Sequence, residues 1–260
     1  MKMVTKEISD VLYPILMVVG ILLSLVCLEL FFKKNKLKKG TSTDYELVLT
    51  FASAAGVVFA VLFQNLYDFI EKPESYQFTW KMTFFGGLIG GIFTFFLLYF
   101  LFIRRKHPRT LPYLLTVAGG AIPLAHAFGR VGCVLAGCCY GKPVDSSSPW
   151  YWMGMKFVTT DTKVIPTNLI EAVFLFLLAA VLLALAFRKN LRLTFPLYAI
   201  CYGLFRFLIE FLRGDDRGAF FLSLSPSQFW AILLFLFGVS YFVVLVLKKK
   251  AKLESFENNQ

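Results

Sequence analysis

The chain has 260 residues, of which 58% are hydrophobic and 17% are charged, and its formal net charge is +11. A soluble domain carries about a quarter charged residues, so this composition excludes an ordinary water-soluble domain. Sixteen of the 27 lysines and arginines lie in short runs between apolar stretches, at 33–39, 104–109, 188–192 and 248–252. Such runs are typical of cytoplasmic loops of membrane proteins and secondarily of contacts with membrane lipid headgroups. Nucleic acid is disfavoured as a partner.

Apolar stretches recur along the chain, each long enough to cross a hydrocarbon core of about 30 Å. The predicted spans cover about 11–32, 47–66, 84–103, a fourth from 111 onward, 166–187, 193–211 and 226–247. Because the basic runs fall on alternate connections, we expect the N-terminus outside and the C-terminus in the cytoplasm. The sequence predicts an all-α membrane protein with about seven transmembrane helices. It forms a single polytopic domain over 1–260, with an extracytoplasmic loop around 139–165.

Two spans contain glycine pairs. Span three opens with GGLIGG at 86–91, where small residues allow helices or lipid headgroups to approach closely. Span four contains Gly119, Gly120 and Pro123, and we expect these residues to weaken or kink it.

Span six carries charges that an apolar helix does not need. Tyr202, Arg206, Glu210 and Arg213 fall within roughly 80° of one another on a helix of about 100° per residue, and so form one stripe. An intramembrane arginine costs about 2.5–3.5 kcal/mol on insertion scales. The stripe is either a structural Arg206–Glu210 ion pair or a site for an anion, because guanidinium groups match phosphate oxygens. One glutamate cannot neutralise two arginines, which favours a phosphate.

Span four has a similar stripe. His126, Arg130, Cys133 and Gly137 also share one face at about 100° per residue. A lone histidine is more often a structural residue than a catalyst, but a neutral imidazole beside these arginines can accept a proton near neutral pH. His126 is therefore a candidate base.

Five cysteines occur in the chain, and three of them lie close together at Cys133, Cys138 and Cys139. Small apolar packing is the first interpretation. A reactive thiol beside Arg130 is the second, because cations lower the pKa of a thiol. A zinc site is the third and least favoured interpretation, because it would need a fourth ligand, and the predicted site residues include no metal ligand. No nucleotide-binding glycine motif or zinc-protease helix is evident, and we predict no cofactor.

Four segments together resemble one known family. GRVGCVLAGCCYGKP at 129–143 is similar to the signature GRxGNFxNxExxGRP of the prolipoprotein diacylglyceryl transferases. IPTNLIEA at 165–172 resembles the family's HPxQLYEA, YGLFRFLIEFLR at 202–213 resembles YGxFRxxxEFxR, and LSPSQF at 224–229 resembles the start of the family's last span. With the predicted topology, the resemblance covers most of the chain.

The resemblance implies a bacterial, multi-pass transferase of the cytoplasmic membrane, active in lipoprotein biosynthesis. It would move the diacylglyceryl group of phosphatidylglycerol to the cysteine thiol of a prolipoprotein signal peptide and release glycerol phosphate. The expected catalytic residues are His126, Arg130, Arg206 and Glu210. The expected substrate-binding residues are Tyr202, Arg213, Gly141, Cys133, Cys138, Gly86 and Gly87.

The chain departs from the family pattern at several positions. Cys133 replaces the signature asparagine, Cys138 replaces its acidic residue, and Phe85 stands where the family has a histidine before Gly-Gly. His126 is the histidine placed to substitute as the base. These departures leave two alternatives open: a phosphatidylglycerol-dependent transferase with a non-protein acceptor, or a non-catalytic lipid-binding membrane protein.

Overall fold

The computed structural model describes residues 6–71, 73–157, 159–214 and 224–257. Within these ranges the protein is helical, and its β structure consists of isolated bridges. The seven long helices are α1 (Lys6–Lys34), α2 (Thr41–Glu71), α3 (Phe84–Leu98), α4 (Leu111–Leu135), α5 (Thr167–Lys189), α6 (Thr194–Glu210) and α7 (Pro226–Glu257). The predicted all-α class is confirmed, and each predicted span corresponds to one of these helices.

Six of the seven helices are long and apolar enough to cross a membrane, which makes this a multi-pass membrane protein. The remaining helix, α6, has 17 residues. At about 1.5 Å per residue it extends about 25 Å, somewhat less than the hydrocarbon thickness. It is also the helix that carries Arg206 and Glu210. The exact number of spans and the orientation of the termini stay predictions.

The helices divide into two compact units, Phe32–Leu111 and a second unit made of Met1–Phe31 with Pro112–Gln260. In the first unit, α2 packs closely on α3 through the glycines of GGLIGG. A Cβ added to Gly86 would lie 2.5 Å from the Cβ of Phe63, and one added to Gly87 would lie 3.3 Å from that of Ala60. These glycines therefore allow two helices to approach. The single domain over 1–260 stays a prediction.

In the second unit, α4 lies among α1, α5 and α6. A Cβ at Gly20 of α1 would lie 2.8 Å from Phe128, and one at Gly119 would lie 2.5 Å from the backbone of Thr194, at the start of α6. The helix runs without interruption through Pro123. The glycines that we expected to weaken α4 therefore serve close packing.

A buried cluster on the inward faces of α4, α5 and α6 supports the polar groups described below. It contains Ala127, Leu175, Leu182, Tyr198 and Tyr202. On the other side of α6, small residues bring the backbone of α7 close. A Cβ at Gly203 would lie 2.9 Å from the carbonyl oxygen of Ala231.

Candidate active site

A buried ion pair joins α4 to α5. Nε of Arg130 lies 3.0 Å from Oε2 of Glu171, and the glutamate side chain is 1% exposed. An ionised carboxylate is buried at this depth only when a cation or strong hydrogen bonds compensate it. Glu171 therefore depends on Arg130 and on the groups that contact its other oxygen.

Tyr202 and His126 approach that second oxygen. The Tyr202 hydroxyl donates a hydrogen bond to Oε1 of Glu171 at 2.9 Å, and Nε2 of His126 lies 3.9 Å from the same atom. The two rings are in edge contact, with their centroids 5.2 Å apart. Because Tyr202 is one helical turn before Arg206, it links the Arg130–Glu171 pair to the charges of α6.

Arg206 and Glu210 form a second buried pair along α6. Nη2 of Arg206 lies 2.9 Å from Oε2 of Glu210 and also donates to the hydroxyl of Ser227 at 2.9 Å. Nη1 of Arg206 is buried and has no hydrogen-bond partner among the described residues. The structural ion pair considered from the sequence is present, and it leaves part of the guanidinium uncompensated.

The start of α7 is fixed against Glu210 by a capping box. The Ser225 hydroxyl accepts the backbone N–H of Gln228 at 3.2 Å, and the Gln228 side-chain oxygen accepts the N–H of Ser225 at 3.0 Å. Pro226 takes the first helical position, where its missing N–H costs nothing. The Ser225 hydroxyl also donates to Oε1 of Glu210 at 3.0 Å. The SPSQ sequence thus positions a carboxylate as well as a helix end.

Arg213 lies beyond the end of α6. The helix ends at Glu210, so the prediction that Arg213 continues its stripe is wrong. Tighter turns follow, in which the Arg213 N–H bonds to the Glu210 carbonyl, and the Arg213 backbone forms an antiparallel bridge with Gly141. Its Nε nevertheless lies 3.9 Å from Oε2 of Glu210. The side chain reaches the same carboxylate as Arg206 from the turn, and not from the helix face.

Gly141 is buried at this bridge. A Cβ there would overlap the carbonyl oxygen of Leu212 and lie 2.8 Å from the side chain of Thr167. Any other residue would push the loop away from the turn that carries Arg213. This gives Gly141 a structural reason to be glycine, and its predicted contact with substrate stays a prediction.

The three clustered cysteines converge where α4 ends. Gly137 is left-handed with φ of 60°, so the prediction that it continues the α4 stripe is wrong. The N–H of Gly137 bonds to the carbonyl of Val134, and that of Cys138 bonds to the carbonyl of Cys133. This is the Schellman arrangement, which brings the side chains of Cys133 and Cys138 into proximity.

Cys139 completes the cluster. The three sulfurs lie within 4.8 Å of one another. Hydrogen bonds with Cys133 and Cys138, and a further one with Arg213, hold the pKa of Cys139 well below its ordinary value. Hydrogen bonds with the same neighbours and burial raise the pKa of Cys138. Both directions follow from the close approach of the three thiols, and Cys139 has in addition the guanidinium of Arg213 beside it.

The structure brings together most of the predicted site residues. His126, Arg130 and Tyr202 meet at the carboxylate of Glu171, and Arg206 and Arg213 meet at that of Glu210. Gly86 and Gly87 belong to the other compact unit, where they contact α2, and their role in binding stays a prediction.

Sequence reasoning missed Glu171, Asn168, Ser225 and Ser227 as site residues. Thr167, Asn168 and Glu171 are all at most 1% exposed at the start of α5. Polar residues inside an otherwise apolar span are expensive and mark functional positions. That signal was present in IPTNLIEA, but only the fold shows that Glu171 faces Arg130.

Fold and site together define a multi-pass membrane protein with three guanidinium groups and two carboxylates buried among α4–α7.

Residues 4–244 match the family described as "Prolipoprotein diacylglyceryl transferase". A relative from Clostridium tetani, named phosphatidylglycerol–prolipoprotein diacylglyceryl transferase, is 30% identical over 88% of this chain and 91% of its own length. One of the same name from Dehalococcoides mccartyi is 32% identical over 83% of each chain. A Clostridium perfringens protein named phosphatidylglycerol–prolipoprotein diacylglyceryl transferase 2 is 30% identical over 87% of this chain and 89% of its own length. The chain belongs to the prolipoprotein diacylglyceryl transferase family.

Proposed function

We propose that this protein transfers the diacylglyceryl group of phosphatidylglycerol to the thiol of a prolipoprotein cysteine and releases glycerol phosphate. The expected location is the cytoplasmic membrane of a bacterium. The relatives' names support the reaction. The observation that carries the proposal for this chain is the buried set in which Arg130, Arg206 and Arg213 contact the carboxylates of Glu171 and Glu210, with Nη1 of Arg206 left without a hydrogen-bond partner among the described residues.

The way in which the arginines contact the glutamates supports binding of a phosphate. Arg130 and Arg213 reach their carboxylates through Nε, and Arg206 contacts Glu210 through Nη2. Among the described residues, Nη1 of Arg206 has no hydrogen-bond partner, and a guanidinium offers phosphate a two-pronged pairing through two N–H groups. The lipid phosphate would therefore add contacts without displacing the glutamates.

The reaction needs little more than charge stabilisation and a deprotonated thiol. The acceptor sulfur attacks the glycerol carbon that carries the phosphate ester, a C–S bond forms, the C–O bond breaks, and glycerol phosphate departs. Negative charge grows on the departing oxygen, so contacts with the guanidiniums strengthen in the transition state. His126 is half-buried beside Glu171 and is the proposed acceptor of the thiol proton.

An apolar cleft lies one turn from Arg206. It has a volume of about 140 Å³ and is lined by Gly203, Leu204, Phe207, Ala231, Ile232 and Phe235. Ala231 is one turn after Ser227, which contacts Arg206. A lipid whose phosphate binds Arg206 would find apolar surface for an acyl chain in this cleft.

The test is a transfer assay with acyl-labelled phosphatidylglycerol and a peptide that contains a lipobox cysteine. Arg206→Ala should lower kcat/KM about 10²–10³-fold because a transition-state contact is lost. The matched control is Arg105→Ala, which removes an exposed arginine of a basic run and should leave the rate unchanged. Parental protein that labels no more peptide than the Arg206→Ala variant would refute the proposed transfer.

The Cys133–Cys138–Cys139 cluster favours a second candidate, a transferase with the same donor and a non-protein acceptor. Cysteines occupy two signature positions, Cys133 in the last turn of α4 and Cys138 just beyond the helix, so the acceptor surface differs from the family pattern. Lipid, metabolite and lipoprotein profiles of a deletion strain distinguish the two. Unmodified lipoproteins support the first proposal, whereas modified lipoproteins with one missing lipid class support the second.

A further inference from the structure

The three cysteine side chains form a cluster that the transfer chemistry above does not use. Their sulfurs lie within 4.8 Å of one another. Three thiolates bound to one zinc ion at about 2.3 Å in tetrahedral geometry lie about 3.8 Å apart. Side-chain rotations that move each sulfur by about one ångström or less therefore suffice to bring all three onto one ion.

The backbone around these cysteines is held in place by buried polar groups of α5. The Asn168 amide donates to the carbonyl of Cys138 at 2.8 Å, and the Thr167 hydroxyl donates to the carbonyl of Cys139 at 3.1 Å. Asn168 is 0% exposed and Thr167 is 1% exposed. Simple packing of three small side chains requires no such anchoring.

Cys139 also adopts an unfavourable backbone conformation. Its φ is 61°, in the left-handed region that costs a residue with a Cβ about 1–2 kcal/mol. Such strain persists where the surrounding structure enforces it, and it concentrates at functional sites. Here the left-handed turns at Gly137 and Cys139 direct two adjacent cysteines towards Cys133.

We propose that Cys133, Cys138 and Cys139 bind a soft divalent cation, zinc in the first place, and leave its fourth position open to a thiol. Thiolate ligands select zinc over magnesium or calcium. Three protein ligands with one open position are the arrangement of catalytic zinc sites, whereas closed structural sites have four. The complex of three thiolates and one zinc ion carries one negative charge and lies near the guanidiniums of Arg130 and Arg213.

The thiol that fits the open position is the acceptor cysteine, and this part rests on the proposed function. A bound metal would favour the thiolate form of the acceptor by lowering the pKa of the coordinated thiol. The acceptor sulfur would form the C–S bond as the C–O bond to the phosphate breaks, and the thiol proton would leave on glycerol phosphate.

The first experiment measures metal in the full-length protein, purified in detergent with a reductant and without chelator. We expect about one zinc per chain in the parent, the same in Cys27→Ser, and loss of the metal in Cys138→Ser and Cys139→Ser. Asn168→Ala, which keeps all three thiols, should weaken zinc binding about 10–100-fold. Monodisperse elution and a cooperative thermal transition establish that the serine variants are folded. Equal zinc in the parent and in both serine variants, or a disulfide within the cluster in the reduced preparation, would overturn the site.

The second experiment uses cobalt(II) as the probe. Thiolate-to-cobalt charge-transfer bands should appear in the parent and in Cys27→Ser and be absent from Cys138→Ser. A lipobox peptide should change the visible cobalt bands, and the same peptide with serine in place of cysteine should not. If the thiol peptide leaves the cobalt bands unchanged, the proposal that the fourth coordination position accepts the thiol is overturned. If the peptide changes the bands but no lipid is transferred, the metal site stands and the transferase proposal fails. If metal-free protein transfers lipid at the full rate, the transferase proposal stands and the role of the metal in it fails.

Discussion

Glu171 is the residue whose replacement tests the site most directly. Glu171→Gln keeps the size of the side chain and an oxygen that can accept from Tyr202, but it removes the charge opposite Arg130. At the observed separation of 3.0 Å and an effective dielectric constant of about 20, the Coulomb attraction is about 5–6 kcal/mol. Relief from burying the glutamate offsets part of this, and removing one partner of a buried pair typically costs about 3–5 kcal/mol.

The assay is thermal unfolding in detergent. A loss of about 3 kcal/mol lowers the Tm of a chain of this size by about 10 °C. Glu74→Gln, at an exposed position of the connection between α2 and α3, is the matched control and should leave the Tm unchanged. Inorganic phosphate should restore part of the Tm of Glu171→Gln and raise that of the parent less, because Arg130 has lost its carboxylate.

The same variant separates two explanations of its effect. If Glu171 only fills space, the Tm of Glu171→Gln should lie within about 2 °C of the parent, with no added response to phosphate. That result would refute the inference that the buried charges of α4 and α5 are coupled.

Three further predictions follow from individual contacts. Tyr202→Phe removes one hydrogen bond to the Glu171 carboxylate and should cost about 1.5–3 kcal/mol; urea unfolding of the detergent-solubilised protein measures it, and an unchanged midpoint contradicts it. Gly141→Ala places a Cβ against the Leu212 carbonyl and should lower transfer more strongly than Tm, because it displaces the turn after α6; equal effects on both would argue against a local change. Asn65→Ala removes the amide that bonds Thr79 through both its oxygen and its nitrogen; limited proteolysis should then cleave the connection between α2 and α3 faster, at an unchanged rate of transfer, and a protected connection would contradict it.

Much of the fold could be predicted because apolar length is a local property. Every stretch of apolar sequence proposed as a span became a helix, and the start of α7 at Pro226 matched the predicted position. The helix ends were less predictable. Helical periodicity extended the α6 stripe to Arg213 and the α4 stripe to Gly137, but the helices end at Glu210 and Leu135, where turns with their own hydrogen bonds replace the helical pattern.

The candidate site was predictable only in part. The Arg206–Glu210 pair follows from a spacing of four residues on one helix, and it is present. Glu171 could not be assigned in this way, since its partner Arg130 lies 41 positions earlier in the sequence. Nothing local in IPTNLIEA indicates which helix its glutamate faces.

The sequence by itself determined that this chain is an α-helical membrane protein, because the lengths of its apolar stretches and the cost of exposing peptide groups to lipid leave few other structures. The sequence also identified the helices that carry charged residues which neither helix formation nor membrane insertion requires. Only the tertiary structure decided that Arg130 contacts Glu171, that Arg206 and Arg213 share Glu210, and that three sulfurs converge on one point. The physical reason is that pairing between helices depends on how they pack and rotate. Close contacts at glycines far from the charges set this packing, and no local pattern of residues encodes it.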